Sequence, residues 1–433
     1  MLARRNPATQ TRSGAFLPLK GSLHRSRHYE KLGRLFLLET PVSPVATPQR
    51  AGRFVAQNPA SEGEYRAFVP APLPPNPPVE IGEELREAEA RAHLALGRLD
   101  GGSRHLPDPD LFLYMYIRKE AVLSSQIEGT QSSLSDLLLF ENAGAPAVPV
   151  SDVEEVSRYI RAMNHGVRRL KDLPLSMRLL REVHHELVAG ARGGDKTPGE
   201  FRTSQNWIGG SRPGNAHFVP PPPHLLADLL SNLEKFLHDE TGRTPTLIKA
   251  GLAHAQFETI HPFLDGNGRV GRLLITLVLV AEHVLHAPLL YVSLHFKEHR
   301  AEYYERLQRV RTHGEWEEWM LFYLEGVANV AAQATETASA LMRLFGEHQK
   351  KILDNGGKGA QSALRVYELT KKKAVLSIPE AAKTLDLTHP TVSSAVKLLE
   401  QLGILSEMTG KQRDRQYLYS EYVKILSEGP RAQ

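Results

Sequence analysis

Between His261 and Arg272 the chain reads H-P-F-L-D-G-N-G-R-V-G-R. An imidazole titrates nearest neutrality, so His261 can take a proton from a weak nucleophile such as a hydroxyl. Asp265 offers an oxygen to a hard cation. Mg²⁺ commonly takes one carboxylate and completes its shell with phosphate oxygens and water. Gly266 and Gly268 let the backbone approach an anion without a Cβ in the way, and Asn267 adds a side-chain donor for a phosphate. Arg269 and Arg272, three apart, can fork onto phosphate oxygens as charge builds on a leaving group. The same residues have blander readings. His261 lies among Phe257, Ile260 and Phe263 as a core histidine would, Asp265 is a plausible helix N-cap, and the arginines can pair with acids at a surface.

The apolar run Leu273 to Ala281 follows directly, so the glycine turn opens a helix whose free N–H groups face an anion. From Ile81 to about Gln349 apolar residues recur at helical spacing. Helices are expected over 81–99, 108–128, 151–171, 175–190, 224–239, 245–261, 267–285, 297–312 and 315–350. The exception is 200–219, where Asn206-Trp207-Ile208-Gly209 and His217-Phe218-Val219 flank a Gly/Pro turn and read as a β-hairpin. The expected fold is mostly α: a helical bundle with a β-hairpin flap, plus a small C-terminal domain.

Residues 1–60 hold ten Lys/Arg and two Asp/Glu, a balance of +8 within a chain of +4, so the remainder carries −4. That basic stretch reads as mostly disordered. A transit peptide has similar composition, and a natural start further downstream gives the same appearance. Residues 69–78, V-P-A-P-L-P-P-N-P-P, read as an extended strap, or as a ligand for a proline-binding partner. With no cysteine there are no disulfides or thiolate metal sites, which fits a reducing, cytoplasmic setting. The longest apolar run falls far short of the roughly 20 residues that span a bilayer, so no membrane role is expected.

The string at 261–272 resembles the Fic-family signature H-x-F-x-[D/E]-G-N-G-R-x-x-R at every defined position. Ser124-Ser125-Gln126-Ile127-Glu128-Gly129 resembles that family's inhibitory motif [S/T]-x-x-x-E-[G/N], and the hairpin at 200–219 lies where the family has its flap. The resemblance covers about residues 61–350, dividing into an N-terminal region with inhibitory helix (61–150) and a catalytic domain (151–350). It implies transfer of AMP from ATP to a Ser, Thr or Tyr hydroxyl of a protein. His261 would be the base, Asp265 the Mg²⁺ ligand, and Gly266, Asn267, Gly268, Arg269 and Arg272 the phosphate site. It implies further that Ser124, Glu128 and Gly129 form a brake in which Glu128 pairs with Arg272, drawing it off the γ-phosphate. The flap residues Asn206, Trp207, Ile208 and Gly209 would clamp a target segment by strand addition. Tyr303-Tyr304 matches a tyrosine pair near the nucleotide base in relatives, although a core position on the helix is also open. The same site in some relatives removes AMP, and transfer of another nucleotide is a further alternative. Self-association through helices is common in the family.

Asp354 to Ala360 reads as a flexible linker. Beyond it, 361–433 resembles a winged helix-turn-helix. Helices are expected at Leu364–Thr370, at Ile378–Leu385 and after a Thr388 cap with Pro390 in the first turn, with two short strands around Gly410. Thr391, Ser393, Ser394 and Lys397 would lie on the exposed face of the third helix, and Lys411, Arg413 and Arg415 in the wing. All are placed for DNA, or the module serves protein interaction. A DNA-binding regulator using the Fic-like part as a sensor is the alternative of another class. A toxin paired with a separate antitoxin fits less well, because the Glu128 motif is built in. His184-His185-Glu186 lacks a zincin's second histidine, His254 and His261 stand two turns apart, and Gly209-Gly210-Ser211 lacks a following Gly-Lys. All three read as structure.

Overall fold

A computed structural model describes residues 49–58, 63–104, 106, 108–143, 149–190, 196–239, 244–411 and 413–429. Most of the basic extension, residues 1–48 and 59–60, lies outside them. Its remainder departs from the disorder expected. Gly52–Gln57 forms strand β1, paired antiparallel with β2, Tyr65–Pro70, with Phe54 opposite Phe68. The alternation Phe54, Ala56 against Arg66, Phe68 sets one face of this ribbon, and Phe54, Phe68 and the flap residue Phe218 pack there with ring centroids 5.2 and 6.2 Å apart. That burial of aromatic area orders the segment.

Eleven helices follow before the C-terminal segment: α1 Glu83–Arg104, α2 Pro109–Ile127, α3 Leu134–Ala143, α4 Val150–Arg169, α5 Met177–Val188, α6 Leu226–Leu237, α7 Thr246–Ile260, α8 Asn267–Ala281, α9 Ser293–Glu298, α10 Arg300–His313 and α11 Trp316–Asn355. The starts of α2 and α5 have local causes. Asp108 accepts from Leu111 N (3.2 Å) with Pro109 in the first turn, and Ser176 accepts from Leu179 N (3.3 Å). Helix α7 is buried at every position from Leu247 to Ile260, and α8 is buried from Arg269 to Leu279. These two all-round-buried helices form the centre of the bundle and pack side by side. The string His261–Arg272 is their junction.

Helix α11, 40 residues and about 60 Å long at 1.5 Å per residue, packs along α1 and reaches into the C-terminal segment. The segment expected as a linker, Asp354–Ala360, has regular structure. Helix α11 runs to Asn355, and a 3₁₀ turn, Gly357–Gly359, leads into α12, Ala360–Lys373. There follow β3 Val375–Ser377, α13 Ile378–Leu385, α14 His389–Gln401, β4 Ser406–Glu407, β5 Gln416–Leu418 and α15 Ser420–Glu428, with strand order β3-β5-β4. Thr388 caps α14 by accepting from Thr391 N (3.4 Å). Strand β3 and helix α15 were not foreseen. Helix α15 packs on α11, α2 and α3, and Tyr419 just before it holds His348 of α11 through its hydroxyl (2.7 Å). No helix among the described residues is long and apolar enough to cross a membrane.

The segment expected as a two-stranded hairpin is looser. One bridge, Ile208 to Phe218, closes it, with Ile208 N donating to Phe218 O at 2.8 Å. A 3₁₀ turn, Pro213–Asn215, forms the tip, pinned by Asn215 Oδ1 accepting from Ser211 N and Arg212 N. The positive φ at Gly209 and Gly210 bends the outer arm more tightly than a regular strand allows. Phe68 N donates to Val219 O (2.9 Å), so the β1–β2 ribbon buttresses the flap's inner arm.

Candidate active site

His261 terminates α7 in the left-handed region (φ 50°, ψ 59°), which turns the chain sharply into the glycine loop. Arg202 holds the corner. Its Nε donates to His261 O (2.9 Å), its Nη2 to Pro221 O (2.6 Å), and its backbone N to Pro262 O (2.9 Å). Asn206 Nδ2 reaches His261 O (3.2 Å) and Phe263 O (3.0 Å), so the base of the flap is tied to the catalytic corner. Burial, then the charges of Arg202 and Arg311, holds the His261 imidazole far below its usual pKa, at about 3. It is therefore neutral at pH 7 and free to accept a proton.

Asn267 differs from expectation. Its Oδ1 accepts from Phe263 N and its Nδ2 donates to Phe263 O, both at 2.8 Å. The amide closes the loop on itself; it is a brace and not a phosphate-facing donor. His184 supports the same loop. It stacks on Phe263 (3.7 Å, 5° between planes), accepts from Gly199 N at Nδ1 and, as the resulting Nε2–H tautomer, donates to Asp265 O (3.1 Å). Asp265 does not cap α8, whose N-cap is Gly266 at φ 76°. Its Oδ1 accepts from Gly266 N (2.6 Å) and its side chain is 42% exposed at the loop.

Both arginines already hold acids. Arg269 is buried and donates to Glu155 of α4 at 2.7 Å, with Asp265 3.8 Å away. Arg272, 1% exposed, is gripped by the end of α2. Its Nε donates to Ser124 Oγ (2.8 Å), and its Nη2 donates to Ser124 O (3.0 Å) and to Glu128 Oε1 (2.7 Å). Gly129, at φ 103°, ends α2 immediately after Glu128. Glu128 Oε1 rests on Gly268, where a Cβ would approach it to 2.3 Å. An internal carboxylate thus sits on the first turn of α8, where the sequence places an external anion.

The tyrosine pair separates. Tyr303 is core: its hydroxyl bonds His254 Nε2 (2.9 Å) inside a cluster with Phe296 and Trp319. It does not line a base pocket. Tyr304 is half-buried, and burial and then the Glu128 carboxylate push its phenol pKa up, which places it beside the Glu128–Arg272 pair. His254 also bonds Gly271 O (2.7 Å), so it is structural, as is His184.

Residues 86–168 match the Fic/DOC family N-terminal region and residues 174–279 the Fic/DOC family domain, which contains the whole loop. The chain carries both regions of the Fic family. It is 29% identical over 177 residues to a probable protein adenylyltransferase of Aquifex aeolicus (40% of this chain, 51% of that one). It is 25% identical over 314 residues to the protein adenylyltransferase Fic of Drosophila grimshawi (71% and 56%). The chain thus spans about half the length of these curated relatives. A Fic family protein from Desulfovibrio desulfuricans shares the fold, with a TM-score of 0.51 at 19% identity over 78% of this chain and 97% of that one. Within this Fic fold, Arg202, Glu155, Glu258 and Arg311 are site residues that the sequence did not point to. Three of them stand far from the loop in the chain. Glu258, three residues before His261, carries a legible signal: an i, i+3 pair shares a helix face.

Proposed function

We propose that this Fic protein transfers AMP from ATP to a hydroxyl of a protein, and that Glu128 restrains the reaction. The observation that carries the reading is the carboxylate of Glu128 lying on Gly268 while paired with Arg272 at 2.7 Å. A site shaped to receive an internal carboxylate at a helix N-terminus also suits phosphate, and Arg272 cannot serve both.

The neutral imidazole of His261 removes the acceptor proton, and the hydroxyl oxygen attacks the α-phosphorus as the bond to pyrophosphate breaks. Backbone N–H groups of the α8 first turn hold phosphate oxygens, and Arg272, once released, neutralises the leaving pyrophosphate. Arg269, fixed by Glu155, adds positive potential beneath the loop. Asp265 fits a Mg²⁺ that borrows its other ligands from the nucleotide: it is a single exposed carboxylate beside the anion cradle, and no group of three metal-ligating acids or histidines occurs among the described residues. Such an ion would supply charge neutralisation. Tyr304, and not Tyr303, is placed to border the nucleotide. The outer arm, Asn206 to Gly209, offers backbone for a target segment to pair with.

The segment from α12 to α15 has the helix and strand order of a winged helix-turn-helix. Ser394 and Lys397 are exposed and Thr391 and Ser393 half-exposed on α14, with Lys411, Arg413 and Arg415 exposed between β4 and β5. We assign this face to a DNA duplex; a gel shift lost in Lys397→Ala/Arg413→Ala tests it.

Incubation with each labelled nucleoside triphosphate and Mg²⁺ tests the activity. Label from α-phosphate-labelled ATP is expected on protein, none from γ-labelled ATP, and none with His261→Ala. Equal labelling by the His261→Ala protein removes the assignment.

A further inference from the structure

The reaction above leaves one buried acid at its centre unused. Glu258 stands in the last turn of α7 and is 6% exposed. Its Oε2 lies 3.9 Å from His261 Nδ1, and Nδ1 is also 3.3 Å from the backbone oxygen of Glu258. The backbone oxygen accepts on the Nδ1 side and favours the Nδ1–H tautomer, and the nearby carboxylate favours it by charge, which leaves the lone pair on Nε2. The other carboxyl oxygen, Oε1, is buried and has no hydrogen-bond partner among the described residues. It lies against Gly271, where a Cβ would come within 2.3 Å. A glycine in the second turn of α8 therefore makes room for this carboxyl.

A buried carboxyl oxygen without a partner is destabilising. Stability alone does not explain Glu258, and its place behind the base does. The charged and titratable groups facing it are Arg272 from α8, Arg311 and Tyr303 from α10, Glu128 from the end of α2, and His261 itself. Arg311 also donates to Glu258 O and to Thr259 Oγ1, both at 3.2 Å, which fixes the last turn of α7. Arg202 and Arg311 oppose a positive charge on His261. Glu258, with an oxygen 3.9 Å from the ring, is placed to offset them, and Glu128 acts in the same direction.

We propose that Glu258 is a positioning residue for His261: its carboxylate, by its charge, favours the Nδ1–H tautomer and balances the positive charge the ring acquires when Nε2 accepts a proton. Under the transferase reading, on which only the identity of that proton rests, the acceptor O–H bond breaks and its proton passes to Nε2. The oxygen bonds to the α-phosphorus and pyrophosphate departs. In its ionised form Glu258 keeps its charge through the step, and it contacts no reactant.

The test uses the full chain carrying Glu128→Gly, with Glu258→Gln or Glu258→Asp added. The first readout needs no catalysis. Carbethoxylation of His261 by diethyl pyrocarbonate is followed peptide by peptide by mass spectrometry, with the exposed His217 as internal reference. Glu258→Gln is expected to slow His261 modification at least threefold at pH 7, with His217 unchanged, and Glu258→Asp to recover most of the rate. The second readout is labelling by ATP across pH: Glu258→Gln is expected to lower kcat tenfold or more with the ATP KM within twofold. Unchanged His261 reactivity in a folded Glu258→Gln protein overturns the proposal. So does a loss in Glu258→Asp as deep as in Glu258→Gln. If the Glu128→Gly protein transfers no label, the transferase reading fails, and the modification rates still decide the role of Glu258.

Discussion

Replacing Glu128 by glycine removes one of the three hydrogen bonds that hold the Arg272 guanidinium. The two to Ser124 remain. The lost bond is charge-assisted and largely screened from water, and such bonds contribute about 1.5–3 kcal/mol. At about 1.4 kcal/mol per tenfold, Arg272 should reach phosphate about 10–150 times more readily. Initial rates of labelling by α-phosphate-labelled ATP should therefore rise within that range in Glu128→Gly, and by less in Glu128→Gln, which keeps an acceptor at the same place. The nucleotide-free protein should lose stability, because Arg272 stays 1% exposed and keeps only the neutral Ser124 of its hydrogen-bond partners here. Half-breaking a buried pair sits near the lower end of the roughly 3–5 kcal/mol cost of one-sided removal. Mg-ATP supplies a new anion and should raise the melting temperature of the variant more than that of the parent. A folded Glu128→Gly protein whose labelling rate stays within twofold of the parent refutes the idea that this ion pair is the brake.

Gly268→Ala places a methyl 2.3 Å from Glu128 Oε1, so it should destabilise the parent but cost much less in the Glu128→Gly background, a non-additivity that a thermal double-mutant cycle reads directly. Asn267→Ala cuts both loop-closing bonds to Phe263 and should lower stability by about 1–3 kcal/mol in urea unfolding, with activity lost at the same time. Tyr303→Phe removes the bond to His254 and should cost about 1 kcal/mol of stability with the ATP KM unchanged, whereas Tyr304→Ala should raise that KM. Burial raises the Glu258 carboxyl from 4.5 to about 7, so the folded state holds its proton more tightly than the unfolded one. The stability this lends is full below about pH 4.5 and is lost as pH rises through 7. Glu258→Gln should therefore match the parent near pH 4.5 and melt higher than it at pH 8.

The catalytic loop was legible because its groups are consecutive. Twelve residues carry the base, the carboxylate, the turn and both guanidinium groups, and a tight loop brings them together whatever the rest of the chain does. The direction in which each side chain points was not legible. Asn267 looks like a phosphate donor by type, yet the left-handed corner at His261 and the left-handed Gly266 turn Phe263 N and O toward it, and two backbone bonds claim its amide. Tyr303 and Tyr304 are neighbours in sequence and about 100° apart around a helix, so one must face the core. Only the packing of α10 against α7 and α11 says which. Strand β1 was lost in the average of a basic stretch, because the six residues Gly52–Gln57 owe their order to Phe68 on the next strand and to Phe218, far along the chain. Partners such as Glu155 for Arg269 and Arg202 for His261 are set by tertiary packing across 114 and 59 positions.

Two buried arginine–acid pairs lie under one loop, and their settings suit only one of them to the proposed brake. Glu155 and Arg269 are 9% and 6% exposed at the side chain, and Glu155 lies inside the first two turns of α4, so separating them strands two charges in the interior. Glu128 is 21% exposed and stands at the C-cap of α2, where it can turn to water when its partner leaves. Arg272 is no ordinary surface partner for it. By donating to Ser124 O it also satisfies one of the last-turn carbonyls that α2 cannot bond internally. Moving Arg272 onto phosphate therefore deprives the helix end of a donor as well as freeing the carboxylate. Under the proposed restraint the C-terminal turn of α2 and the phosphate site compete for one guanidinium, and whatever steadies that turn, including the packing of α15 against α2, should favour the restrained form.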